Sequence, residues 1–166
     1  SWIWTPDRSE AYLTRDKGAS WQSCRGLPKN IRVIADKVNP QRFYAVDAVA
    51  EILYSSEDGG ATFHADTLNL TVKRFQRGNA GAAVRRGDPR GGQDRIYATP
   101  GHEKDLWIAA YDGLYRSAAS EKFDFRALDK VRTIYAFGFG KAKPGNDYPA
   151  IYLICLLYTS DAADDK

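Results

Sequence analysis

Thr14-Arg15-Asp16-Lys17-Gly18-Ala19-Ser20-Trp21 and, 42 residues further on, Ser56-Glu57-Asp58-Gly59-Gly60-Ala61-Thr62-Phe63 share the pattern [ST]-x-D-x-G-x-[ST]-[WF]. Each octet follows a short alternating segment, Ala11-Tyr12-Leu13 in the first copy and Ile52-Leu53-Tyr54 in the second, and each leads into a further potential strand. A tight hairpin turn explains this choice of residues. Asp16 and Asp58 supply short acceptors for the backbone N–H groups inside the turn, and Gly18 and Gly60 tolerate positive φ. Trp21 and Phe63 are expected to fold over the turn and bury against neighbouring strands. Thr14, Asp16, Gly18 and Trp21, with Ser56, Asp58, Gly60 and Phe63, therefore read as a structural staple whose carboxylates serve local donors. A third, degraded copy begins at Ser117, with Ala119 and Glu121 where the Asp and Gly belong and with Phe123 and Phe125 as packing aromatics.

Outward from these turns the same strand types recur. Trp2-Ile3-Trp4, Phe43-Tyr44-Ala45-Val46, Leu106-Trp107-Ile108-Ala109 and Ile151-Tyr152-Leu153-Ile154 form one set. Ile31-Arg32-Val33-Ile34-Ala35, Arg95-Ile96-Tyr97-Ala98 and Thr133-Ile134-Tyr135-Ala136-Phe137 form another. Aromatic and β-branched runs punctuated by Gly and Pro are strand signals, and no stretch sustains helical spacing. Four short strands per unit of about 40–45 residues is the period of a propeller blade. The expected fold is all-β: an incomplete β-propeller of three to three and a half four-stranded antiparallel blades. Its blade pieces are expected at about 1–30, 31–70, 95–130 and 131–154, with an inserted loop at about 67–94. A closed ring needs about 4–8 blades, so a larger parent is expected. Residues 155–166 resemble the in-frame translation of a transposase adapter used in DNA library preparation, and are read as a non-native tail.

Composition agrees with a folded domain. The 166 residues carry 24 Lys+Arg against 21 Asp+Glu, a net charge of +3, and the 4 Trp, 10 Tyr and 7 Phe offer enough apolar surface to offset chain entropy. No apolar run approaches the roughly 20 residues of a membrane-spanning helix, so no membrane partner is expected. With the tail set aside Cys24 stands alone, which removes an internal disulfide and leaves the redox compartment open. His64 and His102 have no second ligand at metal spacing, and phosphate-cradling and serine-nucleophile motifs are missing, so no metal, no cofactor and no catalytic residue is assigned within this chain. The inserted loop carries Lys73, Arg74, Arg77, Arg85, Arg86 and Arg90, yet only Phe75 is interleaved, which favours a solvated loop over a nucleic-acid site.

The repeated octet resembles the Asp-box, or bacterial neuraminidase repeat, of sialidase-like propellers. A longer pattern is similar to the C-terminal propeller of family 74 glycoside hydrolases. It comprises Val38-Asn39-Pro40-Gln41-Arg42-Phe43-Tyr44-Ala45, the run into Ser56–Phe63, Pro100-Gly101-His102-Glu103-Lys104-Asp105-Leu106-Trp107-Ile108-Ala109, and Gly138-Phe139-Gly140-Lys141-Ala142-Lys143-Pro144-Gly145 with Tyr148-Pro149-Ala150-Ile151-Tyr152. That resemblance implies a secreted or periplasmic enzyme of two tandem seven-bladed propellers. It would cleave the β-1,4-glucan backbone of xyloglucan with inversion, through two carboxyl groups spaced to admit a water. It implies a polysaccharide substrate and a second propeller of the same parent chain as partners, with both catalytic carboxylates outside this segment. The alternatives are a non-catalytic Asp-box propeller that binds a protein or peptide, as in sortilin-like receptors or assembly factors, and an exo-sialidase. The last would need an arginine cluster at the propeller centre, whereas the arginines here fall mostly in one loop.

Propeller connections alternate faces, so second-to-third and fourth-to-next-first loops share the face opposite the Asp-box turns. Flat aromatics suit sugar faces and carboxylates suit hydroxyls. Trp4, Asp47, Tyr111 and Asp112, in or beside second-to-third loops, are therefore the candidate substrate-binding residues, against the plainer reading of packed or solvated loop positions.

Overall fold

The computed structural model describes residues 1–47, 50–68, 95–110, 113–118 and 121–157. Thirteen strands and no helix are found among them. They are β1 (Trp2–Trp4), β2 (Tyr12–Thr14), β3 (Gln22–Ser23), β4 (Val33–Ala35), β5 (Phe43–Asp47), β6 (Ile52–Ser56), β7 (His64–Thr67), β8 (Arg95–Ala98), β9 (Leu106–Ala110), β10 (Gly113–Ser117), β11 (Arg126–Ala127), β12 (Val131–Gly140) and β13 (Ala150–Leu157). They form four antiparallel sheets in chain order: β1-β2-β3, β4-β5-β6-β7, β8-β9-β10-β11 and β12-β13. Each sheet is a meander, and sheets follow one another as blades do, so the molecule is part of a β-propeller.

Three apolar clusters hold the stack, one in each seam. Leu13, Cys24, Phe43 and Phe63, with Ile3 and Leu27, fill the seam between the first two sheets. Tyr44, Leu53, Leu68, Ile96, Leu106, Ile108, Tyr115 and Phe125 fill the second. Trp107, Ala109, Leu114 and Ile134 meet Phe137, Phe139, Ile151 and Leu153 in the third. The alternation of side chains along a strand explains how β9 becomes buried at all five positions. Leu106, Ile108 and Ala110 face the second sheet while Trp107 and Ala109 face the fourth. A sheet covered on both faces selects a continuous apolar run.

At the two ends of the stack the alternation leaves one face open. Trp2 and Trp4 are exposed while Ile3 turns into the first seam; Tyr152 and Ile154 are exposed while Ile151 and Leu153 turn into the third. Trp21 departs from the burial expected of it. Phe63 is buried at 4% exposure, whereas Trp21 remains 46% exposed, because Phe63 lies between two sheets and no described sheet covers the face that carries Trp21. Trp21 instead meets Trp4 edge to face at 6.0 Å and lies over Gly18. At the other end β13 continues through Cys155 to Leu157, three residues into the segment read as a tail, opposite Ile134, Thr133 and Val131 of β12.

Candidate functional site

The two octets adopt one hydrogen-bond pattern, in the β2–β3 and β6–β7 connections. The Thr14 hydroxyl donates to Asp16 at 2.7 Å and accepts the Gly18 N–H at 2.8 Å; Ser56 donates to Asp58 at 2.8 Å and accepts the Gly60 N–H at 3.1 Å. Asp16 takes the Ser20 N–H at 2.9 Å and the Ser20 hydroxyl, while Asp58 takes the N–H groups of Ala61 and Thr62 at 2.9 and 3.0 Å. Gly18 and Gly60 have φ of 96° and 92°, the left-handed region that glycine reaches without steric cost. The Asp16 carboxyl is held well below its ordinary range, first by the Ser20 hydroxyl and then by the Ser20 N–H and Thr14. Burial pushes Asp58 upward, but the donors from Thr62, Ser56 and Ala61 together outweigh it and leave that carboxyl lowered. Both carboxylates are thus occupied by their own turns. At the third copy, buried Ser117 keeps its role as acceptor by taking the Asp124 N–H at 3.0 Å.

The same side of the stack carries polar stitching that sequence reading missed. Asp36 is buried and accepts the N–H groups of Val38 and Asn39 at 2.8 and 2.9 Å, the Tyr44 hydroxyl at 3.0 Å and, from the next sheet, the Lys104 N–H at 3.0 Å. Burial alone would raise this carboxyl, and the summed hydrogen bonds hold it lowered. Asn39 donates to Glu103 at 2.9 Å, and Arg42 lies between Glu57 and Glu103. One seam further on, Arg116 grips buried Asp105 through two nitrogens at 2.6 and 3.2 Å, the bidentate geometry that suits guanidinium and carboxylate. Tyr148 donates to Asp105 at 3.2 Å and accepts the Trp107 indole N–H at 3.0 Å. The available signal was turn chemistry: Asp followed by Asn-Pro at Asp36–Pro40 favours a side-chain-capped turn. Its partner in the next sheet is 68 residues away, a pairing that no local pattern encodes.

The candidate substrate residues divide. Trp4 closes β1, is 58% exposed and shares the Trp2 face of its sheet. Asp47 closes β5, is half-buried, and accepts the Ala50 N–H at 3.0 Å across the turn into β6. Both lie at the strand ends opposite the aspartate turns. Tyr111, Asp112 and the inserted loop beyond Leu68 lie outside the described residues. Among the described residues no group of three or more His, Cys, Asp or Glu could hold a metal. His64 is exposed on outer strand β7, and His102 stacks on Tyr148 at 4.8 Å. The Cys24 thiol is buried and pushed up to about 11 by desolvation and by nearby Asp58, which keeps it protonated and unreactive.

No protein-family model matches the chain. A xyloglucanase of Acetivibrio thermocellus is 35% identical over 151 residues, covering 91% of this chain, and a xyloglucanase of a Paenibacillus species is 30% identical over 158 residues, covering 92%. The chain spans only 16% and 13% of the length of these relatives. Among solved structures, the GH74 (glycoside hydrolase family 74) enzyme of Niastella koreensis superposes with a TM-score of 0.71 at 26% identity, over 93% of this chain and 20% of that one. The GH74 xyloglucanase of Xanthomonas campestris gives 0.68 at 26% identity with the same coverage. Sequence and fold together make this chain a homologue of a propeller segment of the family 74 glycoside hydrolases.

Proposed function

We propose that the chain is part of a secreted or periplasmic glycoside hydrolase that cleaves the β-1,4-glucan backbone of xyloglucan or a related plant polysaccharide with inversion. The observation that carries this reading is the 35% identity to a xyloglucanase, sustained across 91% of the chain. In this reading the repeated turns are Asp-boxes that fasten blades. The two catalytic carboxylates stand elsewhere in the parent, and a second propeller of that parent supplies the other wall of the cleft. Trp4, Asp47, Tyr111 and Asp112 contribute to sugar contact at the face opposite the Asp-boxes. The geometry of Asp16 and Asp58 supports a structural role, since a general acid or base needs a carboxyl free to exchange protons with substrate.

The test is to express the uninterrupted gene product and assay it on xyloglucan, scoring new reducing ends against a cellulose control, with the 166-residue chain assayed beside it. Xyloglucan oligosaccharides from the parent and none from the chain alone are expected. An intact two-propeller parent without activity would overturn the hydrolase reading; activity in the 166-residue chain would overturn the placement of both carboxylates outside it.

A further inference from the structure

Backbone closes the outer rim of the first seam but not that of the second. In the first, the chain leaves β3 and runs beside the second sheet. The Arg25 N–H donates to the Ala61 carbonyl at 2.9 Å and the Phe63 N–H to the Arg25 carbonyl at 2.8 Å, a parallel bridge between Arg25 and Thr62. Cys24 and Leu27 pack in the apolar cluster beneath. The pairs Leu13–Gln22, Ser55–His64 and Arg116–Arg126 are equivalent, each one residue before Thr14, Ser56 and Ser117 of the three turns. That register places Thr67 where Arg25 stands, and Phe123, Asp124 and Phe125 where Ala61, Thr62 and Phe63 stand. Phe63 and Phe125 each bury in the seam before their own sheet, which agrees with it. β7, however, runs for 4 residues against 2 in β3. Thr67 therefore stays paired with Ile52, and the Leu68 N–H turns back to the Glu51 carbonyl at 2.7 Å. Among the described residues no backbone hydrogen bond joins Thr67 or Leu68 to residues 123–125, and neither the Phe123 carbonyl nor the Phe125 N–H has a hydrogen-bond partner. A groove of about 880 Å³ lies there instead, lined by Thr67 and Leu68 from one sheet and by Phe123, Asp124 and Phe125 from the next. Ligand pockets span about 300–1,000 Å³.

Phe125 is 4% exposed, so its N–H gains little from bulk water, and an unpaired backbone edge favours an incoming strand. The segment in the equivalent place of the first seam defines what fits. Gly26 follows the bridging residue with φ of 82°, where a Cβ would meet the Phe63 carbonyl oxygen at 2.2 Å; Phe125 carries the equivalent carbonyl. Arg25 donates from its guanidinium to the Thr62 hydroxyl at 3.4 Å, and the residue in the place of Thr62 is Asp124. The exposed pairing of Asp124 with Arg126 is worth little. Asp66 and Glu121 also line the groove and have no ion pair among the described residues, beside Lys104 and Lys122. We propose that this groove binds an extended peptide segment of another polypeptide, whose Arg-Gly pair bridges to residues 123–125 as Arg25 and Gly26 bridge to residues 61–63. Main-chain hydrogen bonds supply affinity and Asp124 selects the cation, a division of labour common in strand addition. The proposal rests on the fold and is independent of the hydrolase reading.

Fluorescence anisotropy tests it, with the 166-residue chain and a labelled, end-capped probe of residues 22–28 in which alanine replaces Cys24, at constant ionic strength. Saturable binding is expected. Alanine in place of the probe's glycine should weaken it about tenfold or more, because the added Cβ is strained at positive φ and strikes a carbonyl. Glutamine in place of the probe's arginine should weaken binding to the wild-type chain about fivefold and leave binding to Asp124→Asn unchanged, the mark of a direct contact. The Asp124 side chain is 63% exposed, so the variant keeps its core, which circular dichroism checks. Equal affinity for the glycine and alanine probes, or an undiminished arginine effect in folded Asp124→Asn, would overturn the proposal, as would the absence of binding. Uptake of the probe by a chain carrying Arg77→Ser, Arg86→Ser and Arg90→Ser, but not by wild type, would assign the groove instead to the chain's own Arg-Gly sequences. Binding that appears only with a fall in light-scattering mass would assign it to a second copy.

Discussion

At the level of single residues, the aspartates of the turns and of the seams carry opposite burdens. Asp58 is exposed, and its value lies in fixing the turn. Asp58→Ala removes an acceptor from two N–H groups and the Ser56 hydroxyl, and solvent compensates in part, so a loss of about 1–2 kcal/mol is expected from denaturant unfolding. Asp58→Asn keeps an acceptor oxygen and should lose less. Asp36 is buried, and Asp36→Ala strands the hydroxyl of Tyr44, which is itself 1% exposed. A loss of about 2–4 kcal/mol follows, with Asp36→Asn and Tyr44→Phe variants separating the charge from the hydroxyl. Both carboxyls, and Asp16, are lowered in the folded state. A lowered folded pKa gives stability that is present above the unfolded value near 4 and lost as pH falls through the folded value. Denaturant midpoints should therefore fall below about pH 4, and the fall should be shallower in Asp58→Asn. An equal slope in wild type and Asp58→Asn would show that the turn carboxylate contributes nothing to acid stability.

Turns and seams are also where whole elements depend on one backbone position. Gly26 has φ of 82°, and a Cβ there would sit 2.2 Å from the Phe63 carbonyl oxygen. That oxygen belongs to the crossing where the Phe63 N–H donates to Arg25 and the Arg25 N–H donates to Ala61, the backbone link between the first two sheets. Gly145 has nearly the same φ, 84°, with nothing within 4 Å of the place a methyl group would take. Gly145→Ala should therefore show the dihedral cost alone, about 1 kcal/mol, while Gly26→Ala adds a backbone collision and should cost at least twice as much by chemical denaturation. Equal costs would mean that the link between the sheets yields freely. These elements also mark how far sequence reading reaches. The octets revealed the turns because their chemistry is local, and the alternating runs revealed the strands because burial follows a period of two. The Arg25–Phe63 crossing, the Asp36–Lys104 contact and the Tyr148–Asp105 cluster join positions 38 to 68 residues apart, and their residue types are ordinary at each site taken singly. Trp21 shows the converse: its pattern matched Phe63, but burial depends on a neighbouring sheet that the octet does not specify.

For the molecule as a whole, the open ends of the stack decide solution behaviour. Trp2, Trp4 and Trp21 are 63%, 58% and 46% exposed on one terminal sheet, and Tyr152 and Ile154 are each 65% exposed on the other. Interior sheets cover such positions on both faces, as at β9, so each terminal face resembles half of a seam. Apolar area left in water costs about 25 cal/mol per Å² relative to burial, and adjoining exposed aromatics make patches that favour association. Among the described residues the order β12-β13 also leaves β13 as an edge strand whose outer backbone groups can template pairing with another chain. Such contact joins unlike ends and does not close on itself, so larger species should grow with concentration. Light scattering across a concentration series should show rising mass for the 166-residue chain. Because the two ends act together, Trp2→Ser with Trp4→Ser should suppress the rise, as should Tyr152→Lys with Ile154→Lys. These positions face away from the three seams, so the midpoint of unfolding should stay within about 1 kcal/mol in stability terms, as for other surface changes. A clean monomer at every concentration would mean that the terminal faces are already satisfied within the chain, and the open-ended stack would then be the wrong description of this molecule in solution.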